Sequence, residues 1–425
     1  MVALNNGWAR VAGKATRSRT GQTFAVQLVG MLLAALSQLL VGRLLGPGGY
    51  GEFVQGFSAL ALLGLAALLG MRTASQRFIP EFLERGDAAG LASFIRWAWI
   101  LVGTAAVVLM VLAGITVRLT DGSQTMFLAV LAVPVYAAMA LGGAMVRAFG
   151  RPVLSVALGR PAREAGVLLA VVLALFTGVV APSPIMGGCV AAMAVSALVS
   201  VTCIRRRQGA AVTAPTYDRM WLSRSLPMMA VNLGNMLLRR ADILIVGYFA
   251  GSAAAGIYGI CVFATELLAL PLQTIGILFA PHVSRLRARG DKMALTRYVR
   301  RMARLSGGAA LLIAVPVWLF AEPILALVGP EYMPGAAALR ILLLGQVIRA
   351  ALGNVNLLSM MTGGERAAAR ALVLVVGMAM VLHLLLTARF GVEGAAATTA
   401  LTVTVHSLLL AWIGWRHSGV RPGPV

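Results

Sequence analysis

The sequence predicts an all-α integral membrane protein with about 12 transmembrane helices, and three observations support this prediction. Hydrophobic residues make up 60% of the 425-residue chain and charged residues only 12%, whereas soluble domains carry roughly 25% charged residues. Apolar runs of roughly 20 residues, enough to cross a bilayer as a helix, recur to the end of the chain. The short polar loops between these runs carry most of the formal net charge of +22.

The apolar runs locate twelve predicted spans. They lie near 22–45, 50–71, 97–118, 126–148, 160–181, 184–204, 225–249, 254–279, 305–328, 336–361, 368–389 and 392–415. The first 20 residues are polar and basic, and the following run is long enough to span and lacks a small-residue cleavage site. We therefore expect no cleavable signal peptide.

The basic residues test this count independently, because Lys and Arg accumulate in cytoplasmic loops. If the N-terminus is cytoplasmic, 29 of the 36 Lys and Arg residues fall in cytoplasmic loops and tails. The alternation predicts twelve spans with both termini in the cytoplasm, and it gives the basic charge an orienting role rather than a nucleic-acid partner. The other seven cations lie at outer ends or within spans: Arg43, Arg118, Arg239, Arg240, Arg340, Arg349 and Arg389.

Three short matches at offsets of 204 to 208 residues indicate an internal duplication. They pair Tyr50-Gly51 with Tyr258-Gly259, Gly86-Asp87 with Gly290-Asp291, and Gly188 with Gly394. Because a six-helix unit has an even number of spans, both copies insert the same way up, as in transporters built from parallel repeats. We predict two six-helix lobes, residues 1–208 and 209–425, joined by a linker near 205–220.

The eighth loop predicts an amphipathic helix over residues 292–305. Its arginines would cover one face, and its apolar residues recur at helical spacing: Leu295, Val299, Met302 and Leu305. This pattern is typical of a helix that lies on an anionic inner leaflet.

Several short motifs occur in a fixed order on the twelve-span pattern. They are Leu44-Leu45-Gly46-Pro47, Tyr50-Gly51, Ser225-Leu226-Pro227, Arg239 to Phe249, Gly256-Ile257-Tyr258 and Phe390 to Ala396. With them, nearly the whole chain resembles the polysaccharide flippases, the O-antigen and exopolysaccharide translocases of the multidrug/oligosaccharidyl-lipid/polysaccharide exporter superfamily. The resemblance implies two six-helix lobes in a V shape around a central cleft.

The resemblance also implies a function. A chain of this kind would turn a lipid-diphosphate-linked oligosaccharide across the bacterial inner membrane by alternating access, during lipopolysaccharide or exopolysaccharide biosynthesis. Its partners would be that substrate, membrane lipids and other polysaccharide-assembly proteins. An alternative is a cation-coupled drug or metabolite antiporter on the same fold, and a third is a non-transporting scaffold or an enzyme of an assembly complex. The sequence shows no phosphate loop, metal-ligand cluster or nucleophile triad, so no enzyme, cofactor or metal is predicted.

Charged residues inside the membrane are the strongest candidates for a site, because a charge at mid-bilayer is costly unless paired or functional. Arg239, Glu266 and Arg349 are predicted at one depth in the C-terminal lobe. Arg239 and Asp242, three residues apart on one helix, could pair. Arg240 points about 100° away from Arg239, and Glu266 is its candidate partner.

Two interpretations of these charges remain open. Three arginines against two acids leave one spare positive charge, which could bind a diphosphate through the planar guanidinium. Alternatively, the charges form a closed network that holds spans seven, eight and ten together. The candidate substrate-binding residues are Arg240, Arg349, Arg239, Asp242, Glu266, Asn235, Gln346 and Arg43.

Other polar residues within the predicted spans are weaker candidates for the functional site. Spans one to three contain no mid-membrane acid, and Glu164 in span five follows Arg163 and is expected to pair with it. This arrangement disfavours the antiporter, whose relatives usually keep an acid in the N-terminal lobe. His383 and His406 could relay protons or serve only in packing. Asn232, like the candidate amides, could line the cleft or join helices.

Overall fold

A computed structural model describes residues 2–120, 122–208, 218–288, 291–361 and 363–419, and within these ranges every regular element is a helix. The first half contains α1 (Val2–Ala67), α2 (Met71–Arg85), α3 (Ala88–Leu119), α4 (Gln124–Leu131), α5 (Val133–Ala148), α6 (Pro152–Ala157), α7 (Arg160–Thr177) and α8 (Pro182–Gln208). The second half contains α9 (Arg219–Ala288), α10 (Lys292–Leu319), α11 (Ala321–Ala326), a 3-10 turn (Pro330–Gly335), α12 (Ala336–Leu352), α13 (Val355–Met361), α14 (Glu365–Leu382), a π turn (His383–Thr387) and α15 (Ala388–Ser418).

Three of these helices are broken by a glycine with non-helical backbone angles. The breaks fall at Gly46 (φ 65°, ψ 179°) in α1, at Gly251 (φ 85°, ψ 171°) in α9 and at Gly391 (φ 55°, ψ −129°) in α15. A positive φ of this kind is free of steric strain only for glycine. Each broken helix therefore belongs to two consecutive membrane spans.

The helices account for the twelve predicted spans. Seven segments are long and apolar enough to cross a membrane, and the pair α4 and α5, bent by 44°, forms an eighth span. Three of the seven contain the glycine breaks and run for 47, 47 and 54 residues, about twice the roughly 20 residues of one crossing, so each counts as two. The 18-residue helix α7, apolar after its charged first turns, completes twelve within the described ranges. The predicted helical membrane fold is confirmed.

The chain packs as two compact units, and the division between them does not fall at the middle of the sequence. The first comprises Met1–Leu44 and Gly56–Leu233, and the second comprises Leu45–Gln55 and Gly234–Val425. Each unit therefore contains a short segment from the other half of the sequence. The predicted lobe boundary after residue 208 adjoins residues 209–217, which lie outside the described ranges, and it stays a prediction.

Within the second unit, the segment 45–55 is held by a close backbone crossing. A Cβ on Gly51 would collide with the carbonyl oxygen of Ser252, and a Cβ on Gly256 would collide with that of Pro47. Glycine at such crossings lets membrane helices approach to backbone contact. Each side of this crossing therefore depends on a glycine, Gly51 on one and Gly256 on the other.

Within the first unit, the start of α9 packs against α2. A Cβ on Gly70 would collide with the carbonyl oxygen of Ser225, and the Asn232 side-chain amide donates a hydrogen bond of 3.0 Å to the Thr73 hydroxyl. Asn232 therefore joins helices, one of its two predicted roles.

Equivalent helix starts support the internal repeat. Asp87 caps α3 with φ −83° and ψ 82° and accepts from the Gly90 amide at 2.7 Å. Asp291 caps α10 with φ −81° and ψ 82° and accepts from the Ala294 amide at 2.8 Å. Each cap removes one unpaired N–H donor from the first turn of its helix. The matching caps agree with a duplication at this offset, and the parallel arrangement of two six-helix lobes stays a prediction.

The prediction that residues 292–305 lie on the membrane surface as an amphipathic helix is wrong, because the buried apolar residues of this helix pack against protein. Residues 292–319 form one continuous helix, and Leu295 and Val299 are buried against Val283 and Leu358. The helical spacing was correct, but the apolar face is covered by protein. Sequence periodicity identifies an apolar face and does not distinguish a lipid surface from a neighbouring helix.

Candidate functional site

The middle of α9 carries three of the predicted site residues in different environments. Arg239 is exposed, Arg240 is half-buried and Asp242 is only 3% exposed. Because successive residues of a helix are rotated by about 100°, neighbouring side chains on α9 face different surroundings. The segment therefore presents a cation outward and an acid inward.

Asp242 is held by neutral hydrogen-bond donors inside the second unit. The Tyr258 hydroxyl donates to Oδ2 of Asp242 at 2.8 Å, and the amide of Ile243 donates to Oδ1 at 2.8 Å. The Thr399 hydroxyl lies 2.8 Å from the Tyr258 oxygen and 3.5 Å from Oδ2. Within the described ranges the carboxylate has no ion-pair partner.

The predicted ion pair between Arg239 and Asp242 is therefore wrong. The hydroxyls of Tyr258 and Thr399 occupy the carboxylate from the interior, while the Arg239 guanidinium stays at the surface. The interpretation that the charges form a closed salt-bridge network therefore loses the ion pair between Arg239 and Asp242.

Arg239 instead lies within electrostatic range of Arg349. Arg349, half-buried on α12, donates one long hydrogen bond of 3.4 Å to Oε1 of Gln346 in the preceding turn. Among the described residues neither guanidinium pairs with a carboxylate. His406 on α15 also lies within electrostatic reach of Arg349. We call Arg239 and Arg349 the arginine pair.

The other candidate residues divide into two groups. Arg240, Glu266 and Asn235 each have an interaction partner, so none of them is free. The predicted pairing of Arg240 with Glu266 stays a prediction. Arg43 is exposed and belongs to the first unit, whereas the arginine pair belongs to the second.

The first unit holds its own buried acid, Glu164, in a closed ion pair. Glu164 is 2% exposed and pairs with Arg163, whose Nε donates to Oε1 at 3.1 Å. The Ser37 hydroxyl donates to Oε2 at 2.6 Å, and the Arg163 guanidinium lies 4.5 Å from the centre of the Phe57 ring. The predicted pairing of Arg163 with Glu164 is confirmed.

Span eleven contains a buried polar turn. The π turn His383–Thr387 buries His383 (4% exposed) and Thr387 (1% exposed), and neither Nδ1 of His383 nor Oγ1 of Thr387 has a hydrogen-bond partner in the described part of the chain. His383 lies within electrostatic reach of Asp242. Single π turns are frequent at functional sites. Sequence reasoning missed Thr387, although its spacing of four from His383 places both on one helix face.

Comparison with solved structures establishes the class of fold. An inward-facing multidrug resistance MATE family transporter of the MOP superfamily is 15% identical with a TM-score of 0.69, covering 93% of this chain and 98% of its own. The lipid II flippase MurJ in an inward closed conformation is 12% identical with a TM-score of 0.66, covering 93% and 86%. A MOP superfamily transporter from Pyrococcus furiosus, described as having a binding pocket of reversed polarity, is 15% identical with a TM-score of 0.64, covering 94% and 95%. The chain has the fold of MOP superfamily transporters.

The sequence also matches the model of one protein family. A family model described as polysaccharide biosynthesis protein matches residues 162–333, which include the whole of α8, α9, α10 and α11. The predicted resemblance to the polysaccharide flippases is confirmed by this match together with the fold. No curated protein matches the chain.

Proposed function

We propose that the protein moves a lipid-diphosphate-linked oligosaccharide across a bacterial inner membrane by alternating access, as a step in surface polysaccharide biosynthesis. The observation that carries the proposal is the arginine pair: Arg239 is exposed, Arg349 is half-buried with a long hydrogen bond only to Gln346, and neither pairs with a carboxylate among the described residues. The match to a polysaccharide biosynthesis family and the likeness in fold to a lipid II flippase support the same substrate class.

The chemistry of the arginine pair suits a diphosphate. Two like charges held close together inside a membrane protein raise each other's electrostatic energy, and an anion that contacts both relieves it. A guanidinium binds phosphate oxygens through two parallel hydrogen bonds, which fixes orientation as well as charge. Gln346 holds the Arg349 side chain along its own helix, which helps to keep the site formed without ligand.

The charge distribution supports the membrane and the orientation that belong to this proposal. The cations of the predicted cytoplasmic loops support an orientation with both termini in the cytoplasm. The partners are then the lipid-linked oligosaccharide, the surrounding lipids and the other proteins of polysaccharide assembly.

Reconstituted vesicles test the proposal directly. A fluorescent lipid-diphosphate oligosaccharide is incorporated, and its translocation is measured for wild type, Arg239→Gln and Arg349→Gln. We expect the initial rate to fall by about tenfold or more in each variant, because a hydrogen bond to a charged group contributes roughly 1.5–3 kcal/mol.

Arg366→Gln is the matched control, because it removes the same charge from an exposed position at the start of α14. Its rate should equal that of wild type. Translocation that is equally fast in all three variants would show that the arginine pair does not engage the diphosphate.

A cation-coupled drug or metabolite antiporter is the second candidate, and Asp242 is the observation that favours it. A buried carboxylate without an ion-pair partner in the described ranges could exchange one cation for another. If the vesicles move no lipid-linked sugar but exchange a small cationic drug for protons or sodium, the antiporter replaces the flippase.

A further inference from the structure

Three arginines of the first unit lie where two packed helices end. Arg147 is in the last turn of α5, Arg151 is in the turn that follows α5, and Arg207 is in the last turn of α8. Helices α5 and α8 pack against each other, and all three arginines are exposed. We call them the basic cluster. It is separate from the arginine pair, which belongs to the second unit.

Two hydrogen bonds that run in opposite directions bring the cluster together. Nη1 of Arg207 donates to the Phe149 carbonyl at 3.0 Å, so a side chain of α8 reaches the end of α5. Nη1 of Arg151 donates to the Cys203 sulfur of α8 at 3.6 Å. Cys203 and Arg207 are four residues apart and are therefore neighbours on the surface of α8. The two guanidinium groups thus lie at the same contact between the helices.

Arg147 joins the cluster through α6. Its Nε donates to the Ser155 hydroxyl at 3.3 Å, and that hydroxyl donates to the Gly143 carbonyl at 2.7 Å. Gly150, with a φ of 79°, turns the chain between Arg147 and Arg151, and its amide donates to the Arg147 carbonyl at 3.0 Å. Backbone and side-chain hydrogen bonds therefore hold this turn and the two arginines that flank it.

Most of the hydrogen-bonding capacity of the basic cluster is unused. A guanidinium has five N–H donors, and each of the three arginines uses one of them within the described residues. Residues 122–217 contain one acidic residue, Glu164, which is already paired with Arg163. Helix α2 also packs against α5, and its Glu81 pairs with Arg85 at 2.6 Å. In the described part of the chain, no carboxylate forms an ion pair with the cluster.

An apolar row on α8 leads to the basic cluster from within the sixth predicted span. Val195 is 59% exposed and Val199 is 37% exposed. Cys203 and Arg207 follow at the same spacing of four residues. Because residues four apart are neighbours on a helix, the row runs from exposed aliphatic side chains to a guanidinium. A phospholipid has the same order of groups, acyl chains followed by a phosphate, whereas inorganic phosphate would contact only the basic end.

We propose that the basic cluster binds the headgroup of one anionic phospholipid, whose acyl chains lie along the apolar row of α8. Guanidinium groups bind phosphate oxygens through paired hydrogen bonds, so three of them can engage a lipid with two phosphates, such as cardiolipin. Basic pockets between the cytoplasmic ends of membrane helices bind headgroups of this kind. The predicted orientation places the cluster on the cytoplasmic side. This inference is independent of the substrate that the protein carries.

Native mass spectrometry of the full-length protein in detergent tests the proposal. Cardiolipin, phosphatidylglycerol and phosphatidylcholine with the same acyl chains are added separately, and the dissociation constant of the first bound lipid is measured. We expect wild type to bind cardiolipin about tenfold or more tightly than phosphatidylcholine, because hydrogen bonds between charged groups are roughly twice as strong as neutral ones. Phosphatidylglycerol, with one phosphate, should lie between the two.

Single substitutions test the built site against a diffuse basic surface. Arg207→Gln and Arg151→Gln should each weaken cardiolipin binding by about tenfold, because each removes hydrogen bonds to a charged ligand. Binding of phosphatidylcholine should change little. Arg206→Gln is the matched control, because it removes the same charge from the neighbouring exposed position on α8. It should weaken cardiolipin binding clearly less, since Arg206 contributes only long-range attraction.

Two further measurements keep the test independent of folding. Glutamine at position 207 retains an N–H donor for the Phe149 carbonyl, and the size-exclusion profile of each variant is compared with wild type. Arg207→Lys keeps the charge and loses the paired geometry, so it should recover only part of the affinity. Arg151→Gln removes only a weak hydrogen bond to sulfur from the fold, so it tests the site even if Arg207→Gln disturbs packing.

Three results would overturn the proposal. They are equal affinities of wild type for cardiolipin and phosphatidylcholine, equal losses from Arg206→Gln and Arg207→Gln, and displacement of bound cardiolipin by inorganic phosphate at the same concentration. The last result would mean that the apolar row plays no part in binding. Failure of the proposed function is distinguishable, because Arg349→Gln should slow translocation of the lipid-linked sugar and leave cardiolipin binding at the wild-type level.

Discussion

Glu164 in the first unit and Asp242 in the second are buried to nearly the same degree, at 2% and 3% exposure, yet their surroundings differ. Glu164 pairs with the arginine that precedes it in the sequence and accepts from Ser37. Asp242 is bound by a tyrosine, a threonine and a backbone amide. An acid with its own counter-charge is complete without a ligand, so we assign it to stability. An acid held only by neutral donors can still gain a positive charge.

The largest effect on stability should follow from Arg163→Gln. The substitution leaves Glu164 buried without its cation, and breaking a buried ion pair in this way costs roughly 3–5 kcal/mol. Denaturant unfolding in detergent measures the loss. The double variant Arg163→Gln/Glu164→Gln should recover most of it. If Arg163→Gln costs less than about 1 kcal/mol, the first unit does not depend on this pair.

Phe57→Leu should have the next largest effect. It removes the ring that stacks on the Arg163 guanidinium at 4.5 Å, a contact worth about 2 kcal/mol when desolvated. Phe127→Leu is the control, because its ring stacks at 4.0 Å on the exposed Arg118 and should contribute only about 0.5–1 kcal/mol. Equal losses in the two variants would contradict a special role for the buried pair.

Thr399→Val should cost about 0.5–1.5 kcal/mol, because it removes the hydrogen bond to the Tyr258 hydroxyl that binds Asp242 and nearly preserves side-chain volume. Thr404→Val on the same helix is the control, since its hydroxyl bonds only to the Ala400 carbonyl of its own turn. A larger loss from Thr404→Val would show that helix propensity, and not the hydrogen bond to Tyr258, determines the loss of stability.

Asp242→Asn should change stability least, by less than about 1 kcal/mol, because asparagine keeps one oxygen for the Tyr258 hydroxyl and no buried cation loses its partner. Thermal unfolding in detergent compares it with Glu164→Gln, which strands Arg163. If Asp242→Asn lowers the stability as much as Arg163→Gln does, the proposed difference between Asp242 and the ion-paired Glu164 is contradicted.

These outcomes bear on what a sequence alone can predict. The twelve spans follow from apolar length and loop charge, and the pairing of Glu164 with Arg163 follows from their adjacency in the chain. Tyr258 and Thr399 lie 16 and 157 residues from Asp242, and no local pattern identifies them as its partners. Hydropathy also cannot tell whether lipid or protein covers an apolar face, and the interpretation of residues 292–305 failed for that reason.

The arginine pair illustrates the same limit within one site. The cost of a charge at mid-membrane singles out Arg239 and Arg349 in the sequence. Whether either arginine pairs with an acidic side chain depends on the direction of each side chain, and tertiary packing sets that direction. The sequence assigned Asp242 to Arg239, whereas the fold turns Asp242 towards Tyr258 and places Arg349 near Arg239.

The exchange of short segments between the two units also constrains how the protein is made. The segment Leu45–Gln55 is synthesised early, but the rest of its unit begins at Gly234. This segment can therefore pack into its unit only after residues from Gly234 onwards have been synthesised. The first unit in turn is complete only once residues up to Leu233 have been synthesised. Domains usually fold as units during synthesis, N-terminal first. The first unit can therefore be complete soon after the ribosome has passed the middle of the message, whereas the second also needs the whole C-terminal part of the chain.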